Sequence, residues 1–571
     1  MFNFLRKRKY RDYDINPDEI FMDTINVSKL DTQQFEGVIE KPISAQNLVY
    51  LGIFFALILL LFIGKLFSLQ IINGFNFLEK SENNILNQIP LFSKRGIIYD
   101  RNNKELAWNR ESENDSDFLY RAYINQSGFG HILGYVNYPQ KDSNENYWRN
   151  YIEGQAGLEL KYNESLTGKN GSILREVNAL GEKISENNVD MRIDGNNIYT
   201  TIDTDIQHYL YSAIENQARE FGFDAGAGGI MNINTGELLA LTSYPEYDPY
   251  ILAEGEDIEK INFFFNDKNK PFLNRAISGL YSPGSIVKPF LGLAALDAGI
   301  INESTRVLST GKIEIPNKYN PSNSSIFKDW RPEGHGSTDI KHAIADSVNT
   351  FFYAIGGGYK NQKGLGIEKM ELYLRSFGIS EKTGIDFGIE VEGTIPNPDW
   401  KKKHYTDGTW RLGDTYNTAI GQFGFQVSPI QMLRGMSALA NGGSLYEPIL
   451  VKKENIGVPV DKNISTKNYR VIQESLRQTV TKGTAQNMNV PYVQIAAKTG
   501  TAQVGRDNQF YNSWAVGFFP YEKPKYAFVV VMEKGKRGGF GSGSRAMKTF
   551  IESIQEFYPE FWKSLDNEEQ A

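Results

Sequence analysis

Ser285-Ile-Val-Lys288, Ser347-Val-Asn349 and Lys498-Thr-Gly500 occur in this order along one long segment of the 571-residue chain. Each motif is common by itself, and the chain holds second copies of two of them, Ser185-Glu-Asn187 and Lys382-Thr-Gly384. The ordered set, however, supplies a serine nucleophile, groups that transfer protons, and a cation that binds a carboxylate. Acyl transfer through a serine needs these parts, so the three motifs together predict an acyl-transfer site.

The first motif places a nucleophile beside a candidate base. Ser285 follows a predicted turn, Tyr281-Ser-Pro-Gly284, and begins an apolar run that predicts a helix as far as Leu296. Lys288 lies one helical turn further on, so both side chains share a helix face. Lysine has an ordinary pKa of about 10.4 and accepts a proton only when that pKa is lowered. Burial or a second cation lowers it, and Lys498 is the candidate for that cation.

Further segments extend the match well beyond the three motifs. The motif set is that of penicillin-binding proteins and class A β-lactamases, and the chain resembles the class B penicillin-binding proteins, in particular the elongation type, the penicillin-binding protein 2 group. The other segments that carry this resemblance are Arg95-Gly-Ile-Ile-Tyr-Asp-Arg101, Gly154-Gln-Ala-Gly-Leu-Glu159, Thr200-Thr-Ile-Asp203, Tyr247-Asp-Pro249, Gly334-His-Gly336 and Ile420-Gly-Gln422.

The resemblance implies an α+β fold, in which a transpeptidase domain of the penicillin-binding and serine β-lactamase type stands on an N-terminal pedestal. The strand patterns agree with an antiparallel sheet. A hairpin pattern spans residues 229–241, and apolar strand patterns recur at 494–498, 513–518 and 526–531. Helical patterns recur between residues 285 and 346.

The resemblance also implies a catalytic role for each of five residues. Ser285 is expected to be the acylated nucleophile and Lys288 its general base. Ser347 is expected to relay a proton to the leaving amine while Lys498 holds it in place. Asn349 is expected to orient Lys288 and to bind the substrate backbone.

The third motif is expected to bind the substrate carboxylate. By resemblance, Thr499, Gly500 and Thr501 hold the terminal carboxylate of the donor peptide, and Lys498 adds its charge. The backbone N–H groups of Ser285 and Thr501 are expected to form the oxyanion hole. No metal and no cofactor is expected in this chemistry.

The implied activity is that of a membrane-anchored peptidoglycan D,D-transpeptidase, which cross-links stem peptides during cell elongation and is a target of β-lactam antibiotics. A division-type transpeptidase, a membrane-bound β-lactam receptor or D,D-carboxypeptidase, and a non-catalytic scaffold stay open as alternatives. The intact motif set disfavours the scaffold. A β-lactamase would need a glutamate in a Glu-x-x-Leu-Asn motif, and the nearest match, Glu371-Leu-Tyr-Leu374, has Arg375 in place of the asparagine.

A metal site is not supported by the residue types. The chain has no cysteine, which excludes disulfides and cysteine-based zinc sites, and it has five histidines. His335 lies closest to the second motif, where some family members bind a metal. Because no ligand set can be assembled around it, the prediction for His335 is a structural or hydrogen-bonding role.

A long apolar segment near the N-terminus predicts a membrane anchor. Residues 48–69 would span about 33 Å as a helix, which is enough for a hydrocarbon core of about 30 Å. A basic cluster between Arg6 and Arg11 precedes it, so the positive-inside rule predicts a cytoplasmic N-terminus and an extracytoplasmic catalytic domain. Membrane lipid is therefore an expected partner. Nucleic acid is not, because the net charge is only −7.

Four regions are predicted. They are a cytoplasmic tail (1–47), the anchor helix (48–69), a pedestal or dimerisation domain (70–195) and the transpeptidase domain (196–571). Only a short polar link joins Trp108 to Tyr120, where the family usually carries a head subdomain. The family pairs with a polytopic membrane glycosyltransferase of the shape, elongation, division and sporulation group, which is therefore the expected protein partner.

Overall fold

The structure is a computed structural model, and it describes residues 45–77, 86–111, 116–143, 146–177, 183–317, 323–453, 457–460, 464–536 and 541–567. The chain divides into two compact units, residues 1–87 with 177–182 and residues 88–176 with 183–571. Of the predicted tail, residues 1–44 lie outside the described residues. The predicted domain boundaries at residues 47, 69 and 195 remain predictions.

Helix α1 (Ala45–Phe67) occupies the predicted anchor segment. Five residues of π-helix, Ser68–Ile72, continue it, so the helical stretch runs three residues further in both directions than residues 48–69. It is long and apolar enough to cross a membrane, and no residue of it is buried by protein. A predominantly apolar helix without a protein cover is typical of a membrane span.

The pedestal is built from short strands and helices. Its strands are β1 (Leu86–Leu91), β2 (Ile98–Tyr99), β3 (Glu105–Arg110), β4 (Tyr120–Tyr123), β5 (Val136–Asn137), β6 (Gln140–Lys141), β7 (Tyr147–Arg149), β8 (Glu153–Gly154), β9 (Gly171–Val177), β10 (Lys183–Asp190) and β11 (Ile198–Tyr199), and its helices are α2 (Gly130–Leu133), α3 (Gly157–Lys161) and α4 (Asn163–Thr167). The strands form sheets in the orders β11-β2-β3-β4 and β1-β9-β10, with the pairs β5-β8 and β6-β7. Strands β3 and β4 pair directly, with Arg110 opposite Tyr120.

A buried ion cluster holds the pedestal together. The Glu159 carboxylate accepts hydrogen bonds from Nε of Arg95 and Nε of Arg121, each at 2.6 Å. All three side chains are almost completely buried. Burial alone would raise the pKa of Glu159, but the two guanidinium groups outweigh burial and hold that pKa below its ordinary value. Arg95 and Glu159, from two of the segments that carry the family resemblance, thus lie in one buried cluster of charged side chains.

The remainder of the chain forms the catalytic domain. Its helices are α5 (Thr204–Phe221), α6 (Pro249–Glu254), α7 (Ile258–Asn266), α8 (Arg275–Ser278), α9 (Lys288–Asp297), α10 (Ile340–Ala345), α11 (Asn349–Gly357), α12 (Ile367–Ser376), α13 (Pro398–His404), α14 (Leu412–Ala419), α15 (Pro429–Ala440), α16 (Thr466–Thr481), α17 (Gly543–Phe557) and α18 (Glu560–Asn567). Its strands are β12 (Ala225–Asn232), β13 (Leu238–Tyr244), β14 (Val307–Ser309), β15 (Lys312–Pro316), β16 (Ser324–Lys328), β17 (Gly336–Thr338), β18 (Ser444–Leu445), β19 (Val458–Pro459), β20 (Ala496–Val504), β21 (Phe510–Phe519) and β22 (Tyr526–Lys536).

The central sheet has five antiparallel strands in the order β13-β12-β22-β21-β20. Both of its faces are covered, because alternate residues of β22 enter different hydrophobic cores. Phe528 and Val530 pack with α5 and α17, whereas Val529 and Val531 pack in the core that contains α9 and α15. The predicted α+β fold with an antiparallel sheet is confirmed. Of the region 285–346, where helical patterns were predicted, α9 and α10 are helical, and strands β14 to β17 lie between them.

Helix α5 connects the pedestal to the central sheet. Asp100 Oδ2 accepts a hydrogen bond of 2.7 Å from the Thr204 hydroxyl at the start of α5. Further along α5, the Gln207 side-chain amide donates to the Leu241 carbonyl at 2.9 Å and accepts from its N–H at 2.8 Å. The pedestal and the sheet that carries the active site are therefore connected by buried hydrogen bonds, with α5 between them.

The Glu159 cluster predicts a large, pH-dependent stability term. Glu159→Gln should lower the free energy of unfolding by about 3–5 kcal/mol, because it leaves two buried cations without a counter-ion. Since the folded pKa of Glu159 is lowered, its contribution is present above the unfolded pKa of about 4.3 and is lost as the pH falls through the folded value. Denaturant unfolding at a series of pH values measures both effects.

Glu153 offers a matched control for this prediction. It pairs with Arg149 at 3.2 Å, but its side chain is 39% exposed. Glu153→Gln should therefore cost at most about 1 kcal/mol. Equal losses in the two variants would contradict a special role for the buried cluster.

Candidate active site

Ser285, the predicted nucleophile, lies in a tight turn at the N-terminal end of α9. Ser285 is part of a 3-10 turn, Gly284–Val287, and is partly exposed while its neighbours Gly284 and Ile286 are buried. Gly284 has a φ of +56°, and its N–H donates to the Gly421 carbonyl at 3.0 Å. A residue with a β-carbon would be strained at this φ, so glycine permits the turn that presents Ser285 to solvent.

Lys288 begins α9 and is fully buried. Its Nζ lies 2.7 Å from the Ser347 carbonyl oxygen, 2.7 Å from Asn349 Oδ1 and 3.3 Å from Ser347 Oγ. A neutral amine has two N–H bonds and one lone pair. The carbonyl and the amide oxygen can take the two N–H bonds, which leaves the lone pair available to accept a proton from a hydroxyl group.

The electrostatic surroundings favour the neutral amine. Burial, and after it the positive charge of Lys498, lower the pKa of Lys288 well below its ordinary value, although the negative charge of Asp329 opposes this. Burial also lowers the pKa of Lys498 to about 7, against the opposing charge of Asp346. The positive charge of Lys498 thus weakens the hold of Lys288 on its proton.

The second motif has a strained backbone. Ser347 connects α10 to α11 with a φ of +56°, in the left-handed region that serine seldom adopts, and it is buried. This conformation directs both its carbonyl oxygen and its hydroxyl towards Lys288. Asn349 is the first residue of α11. Strain at a residue that makes two contacts to one amine indicates a functional constraint.

The third motif lies on β20, at the edge of the central sheet. A β-carbon on Gly500 would come within 2.9 Å of Ile286 Cγ2 and 3.0 Å of the Pro283 carbonyl oxygen. Glycine therefore allows β20 to pack directly against the turn that carries Ser285. Thr499 is half-buried and Thr501 is exposed.

The second copies of the motifs lie elsewhere. Ser185-Glu-Asn187 is within β10 of the pedestal, and Lys382-Thr-Gly384 is in a loop where Lys382 is exposed. The structure thus places the first motif in direct contact with Ser347, Asn349 and Gly500. The positive charge of Lys498 also lowers the pKa of Lys288.

Matches to known families agree with this geometry. Residues 226–554 match the penicillin binding protein transpeptidase domain, and residues 118–200 match the penicillin-binding protein dimerisation domain. The first match covers more than half of the chain. This chain belongs to the penicillin-binding protein transpeptidase family.

Curated relatives in the family are named peptidoglycan D,D-transpeptidase MrdA. The protein from Salmonella typhimurium is 30% identical over 456 residues, which cover 73% of this chain and 70% of the relative. The protein from Acinetobacter baumannii is 29% identical over 449 residues, covering 74% of this chain and 64% of the relative. This chain therefore spans somewhat under two thirds of the Acinetobacter protein.

Solved structures in the family have the same fold. The complex between penicillin-binding protein 2 and MreC from Helicobacter pylori is 28% identical with a TM-score of 0.68, covering 83% of this chain and 100% of that chain. A peptidoglycan synthase complex that coordinates polymerization and crosslinking is 26% identical with a TM-score of 0.67, covering 89% of this chain and 97% of that chain.

The family motifs did not reveal two residues that support the site. Asp329 is buried, and its Oδ2 accepts from the Thr350 N–H at 2.9 Å and from the Thr350 hydroxyl at 2.8 Å, which fixes the first turn of α11 beside Asn349. The Thr484 hydroxyl lies 2.7 Å from the Thr499 hydroxyl. Both residues are far from the motifs in sequence, and only the closeness of Asp329 to Gly334-His-Gly336 could have drawn attention to it.

His335 packs beside this support. Its Nε2 lies 3.6 Å from Asp329 Oδ1, its ring meets the ring of Trp330 edge-on, and its N–H donates to the Ser309 carbonyl at 3.2 Å. The structural role predicted for His335 agrees with these contacts. Within the described ranges, no group of three His, Cys, Asp or Glu residues is arranged to hold a metal.

The nearest match to a β-lactamase glutamate is engaged in other contacts. Glu371 on α12 accepts from Arg375 Nε at 2.9 Å and from the Asn397 side-chain amide at 3.0 Å. The arginine that replaces the motif asparagine therefore forms an ion pair with this carboxylate. Glu371 is thus committed to a structural contact and is a poor candidate for activating water.

The two-lysine arrangement predicts how the reaction depends on pH. If Lys288 must be neutral, the acylation rate constant should fall as the pH falls through the pKa of Lys288. Lys498→Met removes the neighbouring positive charge, so the pKa of Lys288 should rise and the acid limb of the profile should move to higher pH.

Rates of penicillin acylation between pH 5 and 10 measure this shift. Lys382→Met, in the exposed second copy of the motif, is the matched control and should leave the profile unchanged. An unmoved acid limb in Lys498→Met would contradict the electrostatic coupling.

Proposed function

We propose that this chain is an elongation-type peptidoglycan D,D-transpeptidase, which cross-links stem peptides through an acyl-enzyme on Ser285. The observation that carries the proposal is the buried Lys288 amine, held by Ser347 and Asn349 beside the partly exposed Ser285 turn. The relatives named peptidoglycan D,D-transpeptidase MrdA support the elongation type. β-Lactam antibiotics are the corresponding inhibitors.

In acylation, the Ser285 oxygen attacks the carbonyl carbon of the penultimate D-alanine, and Lys288 takes the hydroxyl proton. The resulting oxyanion receives hydrogen bonds from the N–H groups of Ser285 and Thr501, a donor of this kind being worth about 3–4 kcal/mol. Ser347, 3.3 Å from the Lys288 amine, then passes the proton to the nitrogen of the terminal D-alanine, which leaves. This step forms the ester and breaks the peptide bond.

The second half-reaction repeats these steps with an amine as nucleophile. The amino group of an acceptor stem peptide attacks the ester carbonyl, its proton passes through Ser347 and Lys288, and the Ser285 oxygen leaves as the hydroxyl. Since Glu371 is bound to Arg375 and Asn397, it offers no base for water at the ester. This supports transfer to an amine over hydrolysis.

Strand β20 is suited to bind the donor peptide. It ends the sheet order, so an extended peptide can add to its free edge through backbone hydrogen bonds. Thr499 and Thr501 follow one another on the same face of the strand, since side chains alternate. Together with the positive charge of Lys498 they form a carboxylate site for the end of the donor.

Acylation provides a direct test of the roles. Ser285→Ala should abolish covalent labelling of the full-length protein by a fluorescent penicillin, because the acyl ester has no other oxygen on which to form. Lys288→Ala should slow labelling by at least about a hundredfold, as loss of a base coupled to its nucleophile does. Labelling is read from gel fluorescence over time.

The control for this test is Lys382→Ala, which should be labelled at the wild-type rate. Persistent labelling of Ser285→Ala at the same site would refute the assignment of the nucleophile. Rapid release of the label would instead identify a β-lactamase.

The anchor helix α1 supports a membrane location. In the proposed topology the basic N-terminus stays in the cytoplasm and the residues after Gln70 are exported. The chain would act with a membrane glycosyltransferase of the shape, elongation, division and sporulation group, which supplies the glycan strands. The solved synthase complex that coordinates polymerization and crosslinking supports such a partner. We propose that α1 and the pedestal around residues 95–100 form the contact.

Exchanging the anchor tests the topology and the partner together. A reporter fused after Gln70 should be active only outside the cytoplasm. Replacing residues 45–72 by an unrelated single-pass helix of the same orientation should preserve export and penicillin labelling, but should weaken co-purification with the glycosyltransferase. Full co-purification after both the exchange and mutation of the partly exposed Ile97 and Tyr99 would contradict the contact.

A further inference from the structure

The residues just before Ser285 are held by contacts to several other parts of the fold. The backbone of Tyr281 exchanges two hydrogen bonds of 2.9 Å with Val427. The carbonyl of Ser282 accepts from the Trp514 indole N–H at 3.0 Å, and the Trp514 ring meets the Tyr281 ring edge-on at 5.9 Å. Trp514 is fully buried and lies opposite Gly500 in the sheet register. The third motif is thereby connected to the segment that leads into Ser285.

The ion pair between Arg275 and Glu533 also holds Tyr281, through its hydroxyl group. The Tyr281 hydroxyl donates to Glu533 Oε2 at 3.0 Å, and the same oxygen accepts from Arg275 Nε at 2.8 Å. Arg275 also donates to the backbone carbonyls of Asn269 and Lys270. Tyr281 is 6% exposed and Arg275 is 3% exposed.

Each member of this ion pair has a fixed position. Glu533 lies on β22 opposite Ala225 of β12, within the five-stranded sheet. Burial alone would raise the pKa of Glu533, but Arg275 and the Tyr281 hydroxyl outweigh it, so the pKa is lowered and the carboxylate remains charged. The Arg275 side chain is 3% exposed and that of Glu533 is 15% exposed. A largely buried ion pair tolerates little displacement, because its desolvation is compensated only at good geometry.

We propose that Tyr281, held by the Glu533–Arg275 pair, is a positioning residue for Ser285. It touches neither the reacting atoms nor Lys288. Its hydroxyl fixes the start of the segment Tyr281-Ser-Pro-Gly284, whose far end sets where the Ser285 oxygen lies relative to the Lys288 amine. The inference rests on the proposed role of Ser285 as nucleophile.

The physical reason is that this segment is short and leads from α8 to α9. Gly284, with its positive φ, offers little resistance to a change in backbone direction. Tethers at Tyr281 and Ser282 therefore supply the stiffness that the turn itself lacks. A displacement of about 1 Å at a reacting group can slow a reaction by about a hundredfold, so a partial loss of tethering should be measurable in the rate.

Tyr281→Phe tests the proposal, because it removes one hydroxyl and keeps the ring. We expect the first-order acylation rate constant for penicillin to fall about tenfold, while the dissociation constant of the preceding non-covalent complex stays within about twofold. Rapid-mixing labelling of the full-length protein over a range of penicillin concentrations separates the two constants. Thermal unfolding is measured on the same samples.

Tyr416→Phe is the matched control. The Tyr416 hydroxyl donates to the Gly358 carbonyl at 2.6 Å, and its fully buried ring packs with Phe327 and Tyr353 in a separate hydrophobic cluster. It loses a comparable hydrogen bond, so it should show a similar drop in melting temperature with an unchanged acylation rate constant. Wild-type acylation by Tyr281→Phe, or equal slowing in both variants, would overturn the proposal.

Glu533→Gln extends the test and serves in its place if Tyr281→Phe does not fold. It keeps an oxygen for the Tyr281 hydroxyl but removes the charge that holds Arg275, so it should slow acylation in the same way. In the double variant, Tyr281→Phe should add little, because both changes break one connection. Fully additive slowing would refute a shared connection. Labelling that persists in Ser285→Ala would instead refute the role of the nucleophile on which the inference rests.

Discussion

The burial of the Lys288 amine is the constraint on which the active site depends. A lysine in a packed interior must either lose its proton or pair with groups that offset the loss of hydration of its charge. The surroundings of Lys288 favour loss of the proton. Two oxygen acceptors take the N–H bonds of the neutral amine, and Lys498 adds a second positive charge that disfavours protonation. Each of the three motifs contributes one part of this environment, which is why none of them is informative alone. The backbone strain at Ser347 is the cost of directing one residue's carbonyl and hydroxyl to the same amine.

The central sheet holds the three motifs of the site in a rigid arrangement. Its strands are covered on both faces, and β20 contributes Ala496 to the core that contains α9 and Ala497 to the core on the other face. Glycines at positions 284, 421 and 500 allow backbone to meet backbone where a side chain would separate the elements. Asp100 of the pedestal bonds to α5, and Gln207 of α5 bonds to the sheet. Helix α5 lies on the opposite face of the sheet from α9. Rigidity in the sheet thus supports a nucleophile that itself lies in a short turn.

Much of this could be predicted from the sequence, because local chemistry determined it. The motif residues are close in sequence to one another or to strong strand and helix patterns, and the hairpin of β12 and β13 and the strands β20 to β22 lie where apolar patterns predicted them. Within residues 285–346, where helical patterns were predicted, the sequence did not indicate strands β14 to β17, because these strands are short and pair with each other. Asp329, Trp514 and the Arg275–Glu533 pair could not be predicted, since each acts on the site from tens to hundreds of residues away and carries no local pattern. Long-range contacts of this kind are defined only by the packed fold.

The free edge of β20 has a further consequence for the molecule as a whole. An edge strand with unpaired backbone groups is also a template on which another copy of the chain could pair, and proteins usually cover such edges or blunt them with charge. In the proposed function this edge cannot be covered permanently, because the donor peptide binds there. The exposed face of the strand instead carries polar side chains, Thr501 and Gln503, next to the buried Lys498. Resistance to self-association and access for the substrate are therefore competing demands on the same few residues, which limits how apolar this strand can become.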